Sequence, residues 1–168
     1  MKQVGLKVSD PFDEIYTPIE GVYPLLSIIP KNWVIWESCY GDGDLKRHLE
    51  YFGYTVIGSK DEDFFKTSKD NFDIIVTNPP YSNKRDFIDR AFQFEKPFAF
   101  LVPLTTLEGK KSMELFNEKR IQLVIPNRRI NFIPGKKGSW FAVMWLTYGL
   151  ALPKDITYFD MRDAIYNK

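Results

Sequence analysis

The sequence predicts an α/β domain: a mostly parallel sheet with one late antiparallel strand and helices on both faces. Three observations carry that prediction. Short apolar runs alternate with amphipathic stretches of helical period, the pattern of strand–helix–strand crossovers. Two of the runs end in loops of special backbone chemistry: 33–37 enters a Gly-x-Gly turn, and 73–77 enters Asn78-Pro79-Pro80-Tyr81. A late apolar run, 139–150, follows the turn Gly135-Lys136-Lys137-Gly138, and a strand paired through such a loop is antiparallel.

In chain order, residues 1–15 are mixed and read as peripheral. Thr17 is suited to N-cap a helix with Pro18 in its first turn, and Ile19, Val22, Leu25, Leu26 and Ile29 then share one helical face. Gly21 and Pro24 work against that helix, and Pro30 ends it. Residues 33–37 are a short buried strand ending in the acid Glu37. Gly41 and Gly43 follow, letting the backbone bend tightly and a ligand approach it closely. A helix carrying Leu45 and Leu49 comes next, closed by Gly53, with His48 on its surface. Residues 54–58 are the second strand, followed by a loop with Asp63-Phe64-Phe65.

The run 73–77 reads as a strand buried on both faces. Pro79 and Pro80 remove two backbone donors and fix two φ angles directly after it, so the sheet cannot continue. Asn78 and Tyr81 are held on either side of that stiff pair, at the carboxyl end of a strand, where open α/β sheets bind ligands. Helix 84–95 presents Phe87, Ile88, Ala91 and Phe92 to the core, and 97–104 is another buried strand. A polar helix over 109–120, a strand over 121–125 and the strand in 139–150 follow. The tail 151–168, read as a peripheral extension, offers a small strand at 156–159 and a helix at 161–166.

At 168 residues the chain, 1–168, reads as one domain, with no linker, repeat or low-complexity tract. One cysteine, Cys39, and one histidine, His48, exclude an intrachain disulfide and argue against a zinc site, a histidine-rich metal site or a hydrolytic triad; no metal is expected. No apolar stretch approaches membrane-spanning length and no signal pattern opens the chain, so a soluble protein of the cytoplasm with no membrane partner is expected. A net charge of +1 means that any nucleic-acid surface must come from local segregation of charge. Lys84 and Arg85 directly after the proline pair are candidates. So are Arg128, Arg129, Lys136 and Lys137 in the basic segment that also holds Lys110 and Lys111. The aromatic share, 16%, suits a site that stacks planar groups, though core packing is its commoner use.

Asn-Pro-Pro-Tyr at the end of a buried strand resembles the catalytic motif of S-adenosylmethionine-dependent amino-methyltransferases, which methylate adenine N6 or glutamine N5. Tyr16-Thr17-Pro18, the Gly41/Gly43 loop, Asp63-Phe64-Phe65 and Asn78-Pro79-Pro80-Tyr81 stand in the order seen in adenine-N6 DNA methyltransferases. They are also similar to small stand-alone methyltransferase-like proteins common in phages and mobile elements. The resemblance spans residues 16–82, and later strands suit the same Rossmann-like, seven-stranded methyltransferase sheet to about residue 150. Two departures are visible. Ser38 stands where the family's glycine loop has proline, and Lys60 stands where the acid for the ribose hydroxyls would be; Asp61, one residue on, is taken as its substitute.

The resemblance implies S-adenosylmethionine as cofactor, held by Tyr16, Thr17, Glu37, Gly41, Gly43, Asp61, Asp63, Phe64 and Asn78. It implies Asn78, Pro79, Pro80 and Tyr81 as the catalytic set. The Asn78 oxygen and Pro79 carbonyl would polarise the acceptor amine, Tyr81 would stack on its ring, and Phe132 is a candidate for the opposite wall. The first reading is methylation of adenine N6 in DNA, with DNA preferred over RNA. No separate target-recognition domain is expected, so short loops such as 126–138 or a specificity partner chain would read the sequence. The alternatives are an RNA adenine or protein glutamine-N5 methyltransferase, and a catalytically degenerate nucleic-acid-binding protein of the same fold.

Overall fold

The structure is a computed structural model, in which residues 16–133 and 141–162 are described. Seven strands form one sheet: β1 Val34–Trp36, β2 Thr55–Ile57, β3 Ile74–Thr77, β4 Phe98–Pro103, β5 Gln122–Pro126, β6 Val143–Tyr148 and β7 Ile156–Phe159. Their spatial order is β2-β1-β3-β4-β6-β5-β7. β2, β1, β3 and β4 pair in parallel, and β7 pairs in parallel with β5. β6 lies between β4 and β5 and is antiparallel to both. The expected late antiparallel strand is therefore an inner strand. The small strand expected in the tail is β7, which completes the seven.

The helices are α1 Asp44–Tyr51, α2 Lys84–Phe92 and α3 Lys110–Lys119. Alternation along the strands divides the core in two. Ile35, Ile74, Val76, Ala99 and Leu101 face one side with Leu45 and Leu49 of α1 and with Val22, Leu25 and Ile29. Trp36, Ile75, Phe98, Phe100 and Val102 face the other, with Phe87, Ile88 and Ala91 of α2 and the flank of α3 at Leu115 and Phe116. Helices on both faces follow directly from strands that are apolar on both sides.

The continuous helix expected over 19–29 is not formed. The segment is two 3-10 turns, Ile19–Gly21 and Tyr23–Leu25, in which Pro24 cannot donate a helical hydrogen bond. Its inward face survives, because Val22, Leu25 and Ile29 are buried, while Ile19 is exposed. Thr17 does not cap it: the position before the first turn is Pro18, with no side-chain cap. The segment is tied across the sheet instead, where the indole N–H of Trp145 on β6 donates to the Gly21 carbonyl at 2.9 Å. The helix expected at 161–166 lies largely outside the described residues. No helix among the described residues is long and apolar enough to cross a membrane.

Candidate active site

A cleft of about 580 Å3 opens at the carboxyl ends of β1, β2 and β3. It is built first by backbone. After β1 the chain turns through Gly41 at φ +52° and Gly43 at φ +79°, conformations that side-chain-bearing residues rarely hold. Gly43 N–H bonds back to the Tyr40 carbonyl at 2.7 Å and starts α1; a Cβ on it would meet the Tyr40 ring at 2.8 Å. Gly41 lies against the Tyr16 ring, which brings the Tyr-Thr-Pro segment to the glycine loop.

The floor is a buried polar cluster. Glu37 is 1% exposed. Its Oε1 accepts from the Thr77 hydroxyl and from the Cys39 backbone N–H at 2.9 Å, and that N–H also reaches the Thr77 hydroxyl oxygen at 3.1 Å. Its Oε2 is buried with no partner among the described residues, as is the Ser38 hydroxyl. Burial pushes the Glu37 carboxyl up to about 8, against the lowering effect of its two donors. A buried carboxylate with one empty oxygen is costly by itself and is suited to a cationic group brought by a ligand.

The side wall is Asp63-Phe64. Phe64 is buried, stacked on Phe87 of α2 at 5.2 Å and tilted on Trp36 at 5.4 Å. Asp63 is exposed; it accepts from the Phe65 N–H at 3.0 Å and pairs with Lys66 at 3.2 Å, and those donors hold its carboxyl below the usual range. Glu62 clamps the wall from beneath, accepting from the Trp36 indole at 2.9 Å and from Lys69 at 2.5 Å. At the mouth, Asn78 follows β3 directly, and its Nδ2 donates to the buried Thr17 Oγ1 at 3.1 Å. With the amide placed this way round, its Oδ1 is the end left to accept.

The cleft thus gathers Tyr16, Thr17, Glu37, Gly41, Asp63, Phe64, Asn78 and Pro80. Other expected residues are placed elsewhere. Asp61 is exposed and does not line the cleft, because the turn after β2 presents Lys60 and Glu62 instead. Gly43 shapes the turn from behind, and Pro79 is buried under the loop. Tyr81 is outside the cleft lining. Pro80 leads into the single turn Tyr81–Asn83, and the Tyr81 ring packs edge-on to Phe141 at 5.6 Å. Its hydroxyl is buried without a partner among the described residues, and burial pushes its phenol up. Phe132, the candidate opposite wall, is a core residue 9% exposed and near-parallel to Phe141.

The expected phosphate-binding cations are also partly committed. Lys84 donates to the Tyr81 carbonyl at 3.2 Å, bracing the motif. Arg85 donates to the Thr106 carbonyl at 3.3 Å and to the Ser112 hydroxyl. Arg128 pairs with Glu20 at 3.4 Å, and Glu20 also accepts from the Asn131 N–H at 3.0 Å. Arg129 is exposed, and Lys136 and Lys137 lie outside the described residues. Sequence reasoning missed Thr77, Glu62 and Gly58. Thr77 is the one hydroxyl at the end of an apolar strand, which is the only local signal that it had a polar partner.

No protein-family model matches the chain. Over 86 residues, 51% of this chain, it is 30% identical to the type II methyltransferase M.EcoRI of Escherichia coli, and the matched segment spans only 22% of that protein. Among solved structures it is similar to a Listeria monocytogenes protein assigned to the class I S-adenosylmethionine-dependent methyltransferases. The TM-score there is 0.61, with 13% identity, over 93% of this chain and 68% of that one. It is also similar to the 23S rRNA methyltransferase ErmE, with a TM-score of 0.54 and 14% identity, over 78% of this chain and 67% of that one. Strand order, the inner antiparallel strand and these likenesses agree: the chain has the Rossmann-like class I methyltransferase fold.

Proposed function

We propose that the chain is a methyltransferase acting on the N6 amine of adenine in DNA. The observation that carries this reading is Asn78, set at the carboxyl end of β3 on the edge of the cleft and oriented by Thr17. The local identity with M.EcoRI supports the same class of reaction. S-adenosylmethionine is the expected cofactor, and when bound it supplies a methyl already activated on a sulfonium sulfur. The residues suit it. Glu37 Oε2 offers an unpartnered buried carboxylate oxygen to a cationic ammonium, the Gly41 turn lets backbone come close, and Asp63 and Phe64 offer an acceptor and a ring to an adenine.

The remaining difficulty is the acceptor, whose exocyclic lone pair is conjugated into its ring. Two oxygens aimed at its two N–H bonds pull the nitrogen toward tetrahedral geometry and free that lone pair. In this reading the Asn78 side-chain oxygen and the Pro79 carbonyl are the two acceptors, Asn78 being held by Thr17 and the carbonyl by the stiff proline pair. Asparagine accepts without burying a formal negative charge. The proton leaves to water. Tyr81, whose ring packs edge-on against Phe141, is the residue assigned to stack on the base, a contact worth roughly 1–3 kcal/mol. In duplex DNA the adenine is flipped out to reach it.

The test is transfer of a labelled methyl from S-adenosylmethionine to duplex DNA, RNA and a protein extract, with the product identified by mass spectrometry. N6-methyladenine in DNA is the expected result. Label confined to RNA or to glutamine would keep the chemistry and move the substrate. Absence of transfer to all three would overturn the reading.

A further inference from the structure

Arg85 is a partly buried arginine with donors to spare and no acid beside it. It lies in the first turn of α2, four residues after Tyr81. One terminal nitrogen makes both of its hydrogen bonds, to the Thr106 carbonyl and the Ser112 hydroxyl, and both partners are neutral. Among the described residues no Asp or Glu forms an ion pair with it. The acids nearest in sequence to this junction, Asp86, Asp89 and Glu108, are exposed. A guanidinium carries five N–H donors in a rigid fork, and the bonds named use one nitrogen, which leaves donors of the fork for an oxyanion.

What surrounds Arg85 sharpens the point. Ser112 is buried, its hydroxyl 2.5 Å from the Thr106 carbonyl and 2.9 Å from that of Glu108. Thr106 is 2% exposed, yet its own hydroxyl has no partner among the described residues. Ser112 belongs to the first turn of α3, which holds Lys110 and Lys111, no acid and no side-chain cap. Cations at a helix N-terminus oppose the helix dipole, which favours an anion there. Lys110 reaches Glu114 only at 4.0 Å, and Lys111 forms no ion pair among the described residues. Arg85 is therefore joined through Ser112 to a positive helix end flanked by Lys110 and Lys111, where among the described residues the one ion pair is that of Lys110 with Glu114. The turn Leu104–Leu107 follows β4, the neighbour of β3, so the cluster stands at the same edge of the sheet as Asn78.

We propose that Arg85, with Lys110, Lys111 and the first turn of α3, binds a backbone phosphate of the nucleic-acid strand that presents the acceptor base. The proposal rests on the nucleic-acid methyltransferase reading and adds to it where the strand is gripped. Arg85, held by Thr106 and Ser112, sets the fork; the two lysines supply charge.

Fluorescence anisotropy with a labelled single strand of about 20 nucleotides, as DNA and as RNA, between about 50 and 200 mM salt, tests it. Replacing both lysines, Lys110→Gln with Lys111→Gln, touches no buried contact. It is expected to weaken binding about tenfold at low salt and to lower the slope of log affinity on log salt by about 1. Arg85→Lys keeps the charge and loses the fork, and a several-fold loss with little change in slope is expected. Affinity for S-adenosylmethionine, followed by calorimetry, should be unchanged in both. Wild-type affinity and slope in the lysine pair, in a protein that still transfers methyl to nucleic acid, would sink this site and leave the function standing. Failure of the wild-type protein to bind either strand would sink both.

Discussion

The two halves of the sheet are built for different tasks. On one side β4 and β6 pair over six residues each, and of the twelve only Tyr148 is less than buried. On the other side β1 and β2 are three residues long, and the next two residues of each are polar or glycine: Glu37 and Ser38, Gly58 and Ser59. There the buried positions include Glu37, Ser38 and Thr77, with two polar atoms lacking partners among the described residues. The first half can carry the stability that the second half gives up, because burial of apolar area is non-directional while a satisfied polar cluster needs its ligand. Substitutions in the two halves should therefore separate folding from chemistry.

The largest effect is expected in the apolar half. Phe100, fully buried on β4, lies between the layers of Phe98 and Leu146, and Phe100→Ala should cost about 3–5 kcal/mol in urea unfolding. Cofactor affinity of the fraction still folded should be that of the wild type; a selective loss of binding would erase the division of labour. Asn78→Ala is the mirror image. Losing the bond to Thr17 should change stability by about 1 kcal/mol, while methyl transfer falls by about 10²–10³-fold. Equal loss of transfer and of cofactor affinity would take the acceptor role away from Asn78.

A paired glycine experiment sharpens the comparison within the chemical half. Gly58 follows β2 at φ +133°, and a Cβ there would overlap the Glu37 carbonyl oxygen. Gly53, at φ +87°, has nothing within 4 Å of that position. Gly53→Ala should cost only the backbone strain, about 1–2 kcal/mol. Gly58→Ala adds a steric push on the residue that floors the cleft, about 1–3 kcal/mol more. Only Gly58→Ala should also weaken cofactor binding, and equal behaviour of the two variants would show that the Glu37 junction gives way freely.

What the sequence made legible was what local backbone chemistry encodes. Gly41, Gly43 and the Pro79-Pro80 pair announce turns whatever lies opposite them, and strands apolar on both faces announce a covered sheet. Partners that meet only in the fold stayed hidden. Thr77 matters because Glu37, forty positions earlier, ends the adjacent strand; Gly58 matters because the Glu37 carbonyl is against it. The misread helix over 19–29 has the same origin. Two successive 3-10 turns bury nearly the same side chains as one helix, so periodicity alone could not tell them apart, and Pro24 decided it. Lys60 and Glu62 displaced Asp61 because the direction of a turn is not written in its composition.

The most diagnostic prediction, and the smallest per pH unit, concerns Glu37. Its carboxyl is raised from its unfolded value of 4.5 to about 8 by burial. Between those values the folded chain holds a proton that the unfolded chain has lost. Stability from this group is therefore fully present below pH 4.5 and declines as pH rises toward 8, by at most about 1.4 kcal/mol per pH unit for one proton. Glu37→Gln keeps the shape, removes the titration and should flatten that decline in urea unfolding measured from pH 5 to pH 8. Saturating S-adenosylmethionine should flatten it in the wild type as well, because a cation at Oε2 stabilises the ionised carboxylate that burial disfavours. A decline that persists unchanged in Glu37→Gln would mean that the pH dependence arises elsewhere. A decline that Gln abolishes but the cofactor leaves intact would mean that the orphaned oxygen is not where the ligand's charge is met.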